Sequence, residues 1–144
     1  MRLTLTIIAC CLFLSQAIFA QNSIVGKWKT IDDETGEARS IVEIFEKNES
    51  LYGKVVKILD PAGINEVCTK CQPDDPRKNQ KILGMEIIDG LKKDGKYWDG
   101  GKILDPLKGK VYKCRVWLEN GDLMVRGYIG YAFIGRTQKW LPIR

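Results

Sequence analysis

Apolar and polar residues alternate over short stretches of this chain, and glycine, proline, asparagine or aspartate interrupts the alternation at regular intervals. Short stretches that are rich in Val, Ile, Tyr or Trp and bounded by such residues are typical of β-strands. The pattern predicts eight strands, and no long helical periodicity competes with them. The predicted strands lie near residues 24–30, 39–47, 50–59, 84–89, 96–104, 110–118, 123–129 and 134–141.

Eight short strands at regular spacing predict an all-β fold, a single antiparallel barrel or roll with at most one short helix. Closure of the sheet would also remove exposed strand edges, which otherwise promote aggregation. Segment 82–93 is the least regular part of the pattern, and a helical turn would fit there.

The clearest local feature is Asn120-Gly121, the favoured pair for a two-residue hairpin turn because both positions need positive φ. The turn fixes the register of residues 111–128 and gives this hairpin an apolar inner face that includes Cys114. On the outer face it places Arg115 opposite Arg126, and like charges that face each other destabilise a sheet. Two interpretations follow, a structural ion pair with a carboxylate on an adjacent strand or a site that binds an anion.

The first twenty residues have the composition of an export signal. Arg2 gives a short basic start, an apolar run follows, and the small Ala20 ends it. We expect residues 1–20 to be a cleaved signal peptide and residues 21–144 to be one periplasmic or secreted domain that does not span the membrane. The alternatives are an uncut membrane anchor and a lipoprotein box that ends at Cys10.

Composition narrows the possible functions. The chain has 23 Lys and Arg against 18 Asp and Glu, so loss of Arg2 with the leader leaves a net charge of +4. The charges are interspersed, which together with export argues against a nucleic-acid partner. There is no histidine, so Ser-His-Asp and Cys-His catalysis and histidine zinc sites are excluded. We therefore predict a protein that is not an enzyme and that carries no cofactor or metal.

One compact chemical motif, Cys68-Thr69-Lys70-Cys71, lies in a long charged loop near residues 60–81. Three interpretations are a disulfide that stiffens the loop, a thiol–disulfide exchange site and a zinc site. The disulfide is favoured because a zinc site needs four ligands and because Pro73-Asp74-Asp75-Pro76 is a poor start for the helix that activates an exchange cysteine. Cys114 is then left single, as a small buried apolar residue.

An ordered set of short motifs covers the mature chain. They are GKWKT (26–30), TGE (35–37), LYGK (51–54), WDGGKILDP (98–106), GKVY (109–112), RGYIG (126–130) and GRTQ (135–138). Together they resemble the small exported bacterial proteins catalogued as domain of unknown function 2147, a name that implies no activity.

The Gly-x-Trp start of the first strand is similar to that of lipocalin- and avidin-like barrels. In lipocalins the tryptophan packs beneath an arginine from near the end of the barrel. The resemblance therefore implies that Arg136 or Arg126 packs on Trp28, and it favours a barrel more than it identifies a ligand.

An eight-stranded barrel can be filled by side chains or can hold one small ligand. We predict that the barrel binds a small or apolar molecule, or another envelope component, through Trp28, Trp98 and Tyr112. One alternative is an envelope interaction module with a filled core. The other is a thiol–disulfide redox protein that uses Cys68 and Cys71.

Overall fold

The computed structural model describes residues 23–144, and the expected signal peptide, residues 1–20, lies outside them. Eight strands pair in chain order and the last returns to the first, which closes an antiparallel barrel. The predicted all-β barrel is therefore confirmed. The strands are β1 (Gly26–Ile31), β2 (Ala38–Lys47), β3 (Ser50–Ile58), β4 (Glu86–Asp94), β5 (Tyr97–Asp105), β6 (Lys110–Glu119), β7 (Asp122–Tyr128) and β8 (Gly135–Pro142). One 3-10 turn, Pro61–Gly63, follows β3. Within residues 23–144, no helix has the length and apolar character needed to span a bilayer.

The β6–β7 hairpin has the predicted turn. Asn120 and Gly121 have φ angles of 54° and 83°, as a two-residue turn with two left-handed positions requires. Cys114 pairs with Gly127 and Arg115 pairs with Arg126, so the predicted register is confirmed. The inner face of the hairpin is buried in the core.

The helical turn considered for segment 82–93 is wrong, because residues 86–93 of this segment are in strand β4. Gly90 has a φ of 71° and locally breaks the alternation of the strand. Ile88 and Leu91 are three positions apart, yet both are fully buried, opposite Gly53 and Leu51 of β3. A spacing of three between buried residues is also the spacing of a helix face, which is why the sequence was ambiguous here.

The two ends of the barrel differ. At one end, two-residue turns join β2 to β3, β4 to β5 and β6 to β7. Large apolar side chains fill the barrel near these turns, and we call this half the closed half. Its fully buried side chains include Trp28, Ile44, Leu51, Leu91, Val116 and Leu123. The indole N–H of Trp28 donates to the carbonyl oxygen of Ile24 at 2.8 Å, so the buried ring has no unpaired donor.

Longer loops lie at the other end, and the connection over residues 59–85 is the longest of them. Cys68 and Cys71 form a disulfide within this connection. The connection packs against the β5–β6 turn, where the Cys68 sulfur lies 3.3 Å from the carbonyl oxygen of Pro106. Gly109 in the same turn has a φ of 67°, and a Cβ there would overlap the carbonyl group of Lys70. The long connection is thus held against the barrel and does not extend into solvent.

The seam between β1 and β8 is the shortest ladder of the barrel. Main-chain register pairs occur only at Trp28–Pro142 and Lys29–Leu141. Nearer the open end, side chains span the seam, since Arg136 pairs with Asp33 at 2.5 Å and with Glu34 at 2.8 Å.

Candidate ligand-binding cavity

A cavity of about 520 Å³ opens at the end of the barrel that carries the long loops. Its lining comes from all four loops at this end and from the adjoining strand ends. Much of the lining is apolar and includes Val55, Ile87, Ile103, Val125 and Trp140. Trp140, opposite Leu123 of the closed half, forms the deep wall. Cavities of this size and character are typical of small-molecule sites. The barrel is therefore filled in its closed half and empty in its open half.

Trp140 lies at the deep end of the cavity and is almost fully buried. Its indole N–H donates to Gln138 Oε1 at 2.9 Å, and Gln138 Nε2 donates to Asp33 Oδ1 at 3.2 Å. This chain of hydrogen bonds connects the deep wall to the rim. It also satisfies the polar atom of the indole, so Trp140 can present its ring to an apolar ligand.

The wall contains the aliphatic hydroxyl groups of Thr30 and Ser40, and both are satisfied within the protein. The hydroxyl groups of Thr30 and Ser40 lie 2.9 Å apart, within hydrogen-bonding distance of each other, and the main-chain N–H of Ser40 donates to Thr30 Oγ1 at 3.1 Å. Burial of a hydroxyl that is already paired costs little when a ligand displaces water. An apolar ligand can therefore cover these two hydroxyl groups without leaving them unpaired.

The rim is charged and carries more carboxylates than cations. Its acidic lining residues are Asp32, Asp33, Asp60, Glu66 and Asp105, and its basic ones are Arg39, Lys108 and Arg136. Hydrogen bonds from the main-chain N–H groups of Thr35 and Glu34, and then Arg39, hold the pKa of Asp32 below its usual range against partial burial. Hydrogen bonding to Glu34 and the charge of Asp33 raise the pKa of Arg136. Asp32 and Arg136 therefore stay ionised at neutral pH, and their charges keep the rim hydrated.

The three residues proposed for ligand contact occupy three different places. Tyr112 lines the cavity. Trp28 has 0% exposure and is part of the closed half. Trp98 lies at the opposite end of the barrel, where the Lys93 ammonium is 5.4 Å from its ring centroid. Of these three residues, the structure thus brings only Tyr112 to the cavity. Trp140 also lines the cavity, and it was not among the predicted ligand contacts.

The two arginines on the outer face of the β6–β7 hairpin have separate partners. Arg115 pairs with Asp99 on the adjacent strand β5, with N–O distances of 2.5 and 2.7 Å. The Tyr128 hydroxyl donates to the other oxygen of Asp99 at 2.9 Å. Arg126 instead donates to the carbonyl oxygen of Ala132 and to Thr137 Oγ1. The arrangement is that of a structural ion pair at Arg115 and a loop anchor at Arg126.

The network around Asp99 fixes its charge. Partial burial raises the pKa of Asp99, but hydrogen bonds from Arg115, the N–H of Gly100 and Tyr128 outweigh it, so the pKa lies below its ordinary value. Burial, and then the hydrogen bond to Asp99, raises the pKa of Tyr128. Asp99 therefore remains an ionised acceptor and Tyr128 a neutral donor at neutral pH.

The lipocalin-like expectation for Trp28 is wrong. Arg136 and Arg126 pair with groups near the open end, whereas Trp28 is opposite Pro142 in the closed half. Pro142 lies six residues after Arg136 along the strand, so neither arginine can pack on the tryptophan. The Trp28 N–H uses the carbonyl of Ile24 in place of any arginine contact.

The thiols offer little reactivity. Cys68 and Cys71 are joined and buried, and Cys114 is a buried free thiol. Burial raises the pKa of Cys114 far above its ordinary value, so the thiolate needed for nucleophilic chemistry is not formed at neutral pH. Over the described part of the chain, no three His, Cys, Asp or Glu side chains are grouped as metal ligands.

Residues 26–141 match the family DUF2147, described as uncharacterized protein conserved in bacteria. This chain belongs to the DUF2147 family. Its barrel is similar to the structure of protein HP1028 from the human pathogen Helicobacter pylori, which is described as belonging to the lipocalin family. The TM-score is 0.73 at 24% identity, over 85% of this chain and 84% of that chain. The similarity shows a lipocalin-type fold. No curated protein matches the chain by sequence.

Proposed function

We propose that this DUF2147 protein binds a small apolar molecule inside its barrel, in the cell envelope, and that it is not an enzyme. The observation that carries the proposal is the apolar cavity of about 520 Å³ in the open half of the barrel. A barrel that acts only as an interaction module has no need of an empty half, because unfilled apolar space costs stability.

The lining indicates how a ligand would be oriented. Its apolar part would contact the apolar lining, where Trp140 offers aromatic surface at the deep wall and Tyr112 offers it nearer the mouth. Its polar end would remain at the rim, where Asp33 and Arg136 are solvated. An amphiphile with one apolar part therefore fits better than a polar solute.

The disulfide supports the envelope as the location, because such bonds persist in oxidising compartments. The same bond argues against the redox alternative. An exchange cysteine must be accessible to a partner's disulfide, whereas Cys68 and Cys71 are both buried against the β5–β6 turn.

A matched pair of variants tests the cavity. Ile103 and Lys102 are neighbours on β5 with opposite environments, since Ile103 lines the cavity and Lys102 is exposed. We expect Ile103→Trp to weaken binding of an environment-sensitive apolar dye at least tenfold, while Lys102→Trp leaves the affinity unchanged. Both variants should keep a cooperative unfolding transition.

Equal dye affinity in the two variants would place the dye outside the barrel and refute the proposal. The exposed aromatic residue Phe133, outside the cavity lining, offers a further control. Phe133→Ser should leave dye affinity unchanged if the dye occupies the cavity. Native mass spectrometry of the protein purified from cells would show whether an apolar molecule remains bound.

A further inference from the structure

An exposed apolar surface lies on one side of the open end. Its members come from the β7–β8 loop and from the neighbouring β5–β6 hairpin, and we call them the apolar rim. The apolar rim consists of Leu107, Val111, Ile129, Tyr131, Phe133 and Ile134. Tyr131 and Phe133 are 70% and 79% exposed and do not line the cavity. Contiguous exposed apolar surface of this kind indicates a binding partner.

The β7–β8 loop presents these rings in a fixed position. Arg126 and Lys113 donate to the carbonyl oxygens of Ala132 and Gly130. Within the loop, the N–H of Ile134 donates to the carbonyl of Tyr131 at 3.0 Å. The rings of Tyr131 and Phe133 stack with centroids 5.6 Å apart and planes 7° apart. An anchored loop loses little conformational entropy on docking. The exposed rings are therefore already in position to bind, and the loop need not fold on its partner.

Basic residues flank the apolar rim. Lys108, Lys110 and Lys113 are exposed on the β5–β6 hairpin, and among residues 23–144 no carboxylate lies within salt-bridge distance of them. On the other side of the loop, the carboxylates of Asp33 and Glu34 are already paired with Arg136. Asp105 lies in the same turn, where its carboxylate accepts hydrogen bonds from the main-chain N–H groups of Leu107 and Lys108. Three lysines against this one carboxylate leave the β5–β6 hairpin, next to the exposed rings, with a net positive charge.

We propose that the apolar rim docks on the surface of an anionic lipid bilayer. Tyr131 and Phe133 enter the interfacial layer, and Lys108, Lys110 and Lys113 contact the headgroups. The rings project from the protein and do not form a groove, so they suit a soft surface better than the side chain of a protein partner. Exposed aromatic residues beside lysines are the combination that the membrane interface favours.

This docking places the mouth of the cavity next to the bilayer. Ile129 and Ile134 belong both to the apolar rim and to the cavity lining. An apolar molecule could then pass between the bilayer and the barrel with little exposure to water. The docking surface is on the outside of the loop, so it does not depend on what the cavity holds.

Vesicle binding tests the proposal directly. The full chain is sedimented with vesicles of phosphatidylcholine containing phosphatidylglycerol, and with vesicles of phosphatidylcholine alone. All variants are made in the same chain, so any contribution of residues 1–22 is common to them. We expect Tyr131→Ser with Phe133→Ser to lower the partition coefficient about tenfold or more, because the variant lacks the two rings that would enter the interfacial layer of the bilayer. Val25→Ser, an exposed apolar position near the closed end, should bind as the wild type does.

The charge contribution has its own signature. Lys108→Gln with Lys110→Gln should weaken binding to the anionic vesicles by up to about fivefold for each lysine and should leave the phosphatidylcholine vesicles unaffected. Added salt should weaken wild-type binding to the anionic vesicles in the same way. In Phe133→Trp, the new indole should be quenched by brominated lipids.

Three results would overturn the proposal. The first is that the wild type binds neither kind of vesicle. The second is that the double serine variant and Val25→Ser bind equally well. The third is that the wild type forms a concentration-dependent dimer and the double serine variant does not. The last result, seen by analytical ultracentrifugation, would assign the apolar rim to a second copy of this chain. Dye binding in the cavity is measured without vesicles, so failure of one proposal is distinguishable from failure of the other.

Discussion

Reduction of the Cys68–Cys71 disulfide should lower the free energy of unfolding by about 2 kcal/mol. The cysteines are separated by three positions, so the bond closes a very small ring. The chain-entropy relation gives about 2 kcal/mol for such a ring, against about 3 kcal/mol for a ring of 15 residues. Reduction removes no heavy atom from either side chain, so no loss of core volume adds to this value.

The assays are urea unfolding, which gives the free energy, and thermal unfolding, which gives Tm, of the wild-type protein in its oxidised and reduced forms. We expect Tm to fall by about 6–10 °C on reduction, as such a loss implies for a domain of this size. Cys114 is a free thiol in both forms, so its contribution cancels. Mildly acidic buffer keeps this thiol from exchanging with the disulfide during unfolding.

Hydrogen exchange separates local from global effects of reduction. The N–H of Cys68 donates to Gln80, and the N–H of Ile82 donates to Glu66. These amides should exchange faster in the reduced form, while the β6–β7 hairpin keeps its protection. Since Ile82 lines the cavity, dye binding should also weaken. A stability change below about 0.5 kcal/mol, or above about 5 kcal/mol, would refute the ring-entropy argument.

Three further predictions concern buried polar groups. Asp99→Asn should destabilise the protein at neutral pH. The pKa of Asp99 lies below its ordinary value of 3.8, so the ionised carboxylate stabilises the wild type above about pH 4 and less at lower pH. The difference in unfolding free energy between the wild type and Asp99→Asn should therefore be smaller at about pH 3 than at neutral pH, which urea midpoints at the two pH values would show. Cys114 is buried and its pKa is raised, so a thiol reagent should label it only in denaturant, and rapid labelling of the native protein would contradict this placement. Trp28→Phe removes the donor to Ile24 and should cost about 1–3 kcal/mol in urea unfolding, whereas an unchanged midpoint would show that the bond contributes nothing.

The strands could be predicted because each carries its own alternation and turn signal. The hairpin around Asn120-Gly121 is the best case, since one dipeptide fixes both turn and register. Strand β4 was difficult for the opposite reason, because Gly90 shifts the alternation within the strand. The shift is a β-bulge, seen in the register of β4 against β3 between Ile88 and Leu91. Because a bulge depends on how a strand pairs with its neighbours, the local sequence indicates it only weakly.

The cavity was harder to predict than the fold. Tyr112 and Trp28 both point into a barrel by alternation, but only their height along the barrel decides whether they line a cavity or fill the core. Trp140 could have been found by extending the hairpin register to β8, since it is opposite Leu123. The loop between β7 and β8 carries no turn signal that fixes that pairing. The position of a residue along the barrel axis and the pairing of distant strands depend on the tertiary fold, so they could not be predicted from the local sequence pattern.

The size of the inward side chains explains why only one half of the barrel is empty. An eight-stranded barrel has an interior that side chains can just fill. In the closed half the inward positions hold large residues such as Trp28 and Leu91. Towards the mouth they include Thr30, Ser40 and Gly127, which leave the space unfilled. At Gly127 an added Cβ would lie 3.4 Å from the Cβ of Tyr112, in ordinary van der Waals contact, so a side chain there would take up space beside Tyr112 that the glycine leaves open. The cavity is therefore encoded by small residues at inward positions.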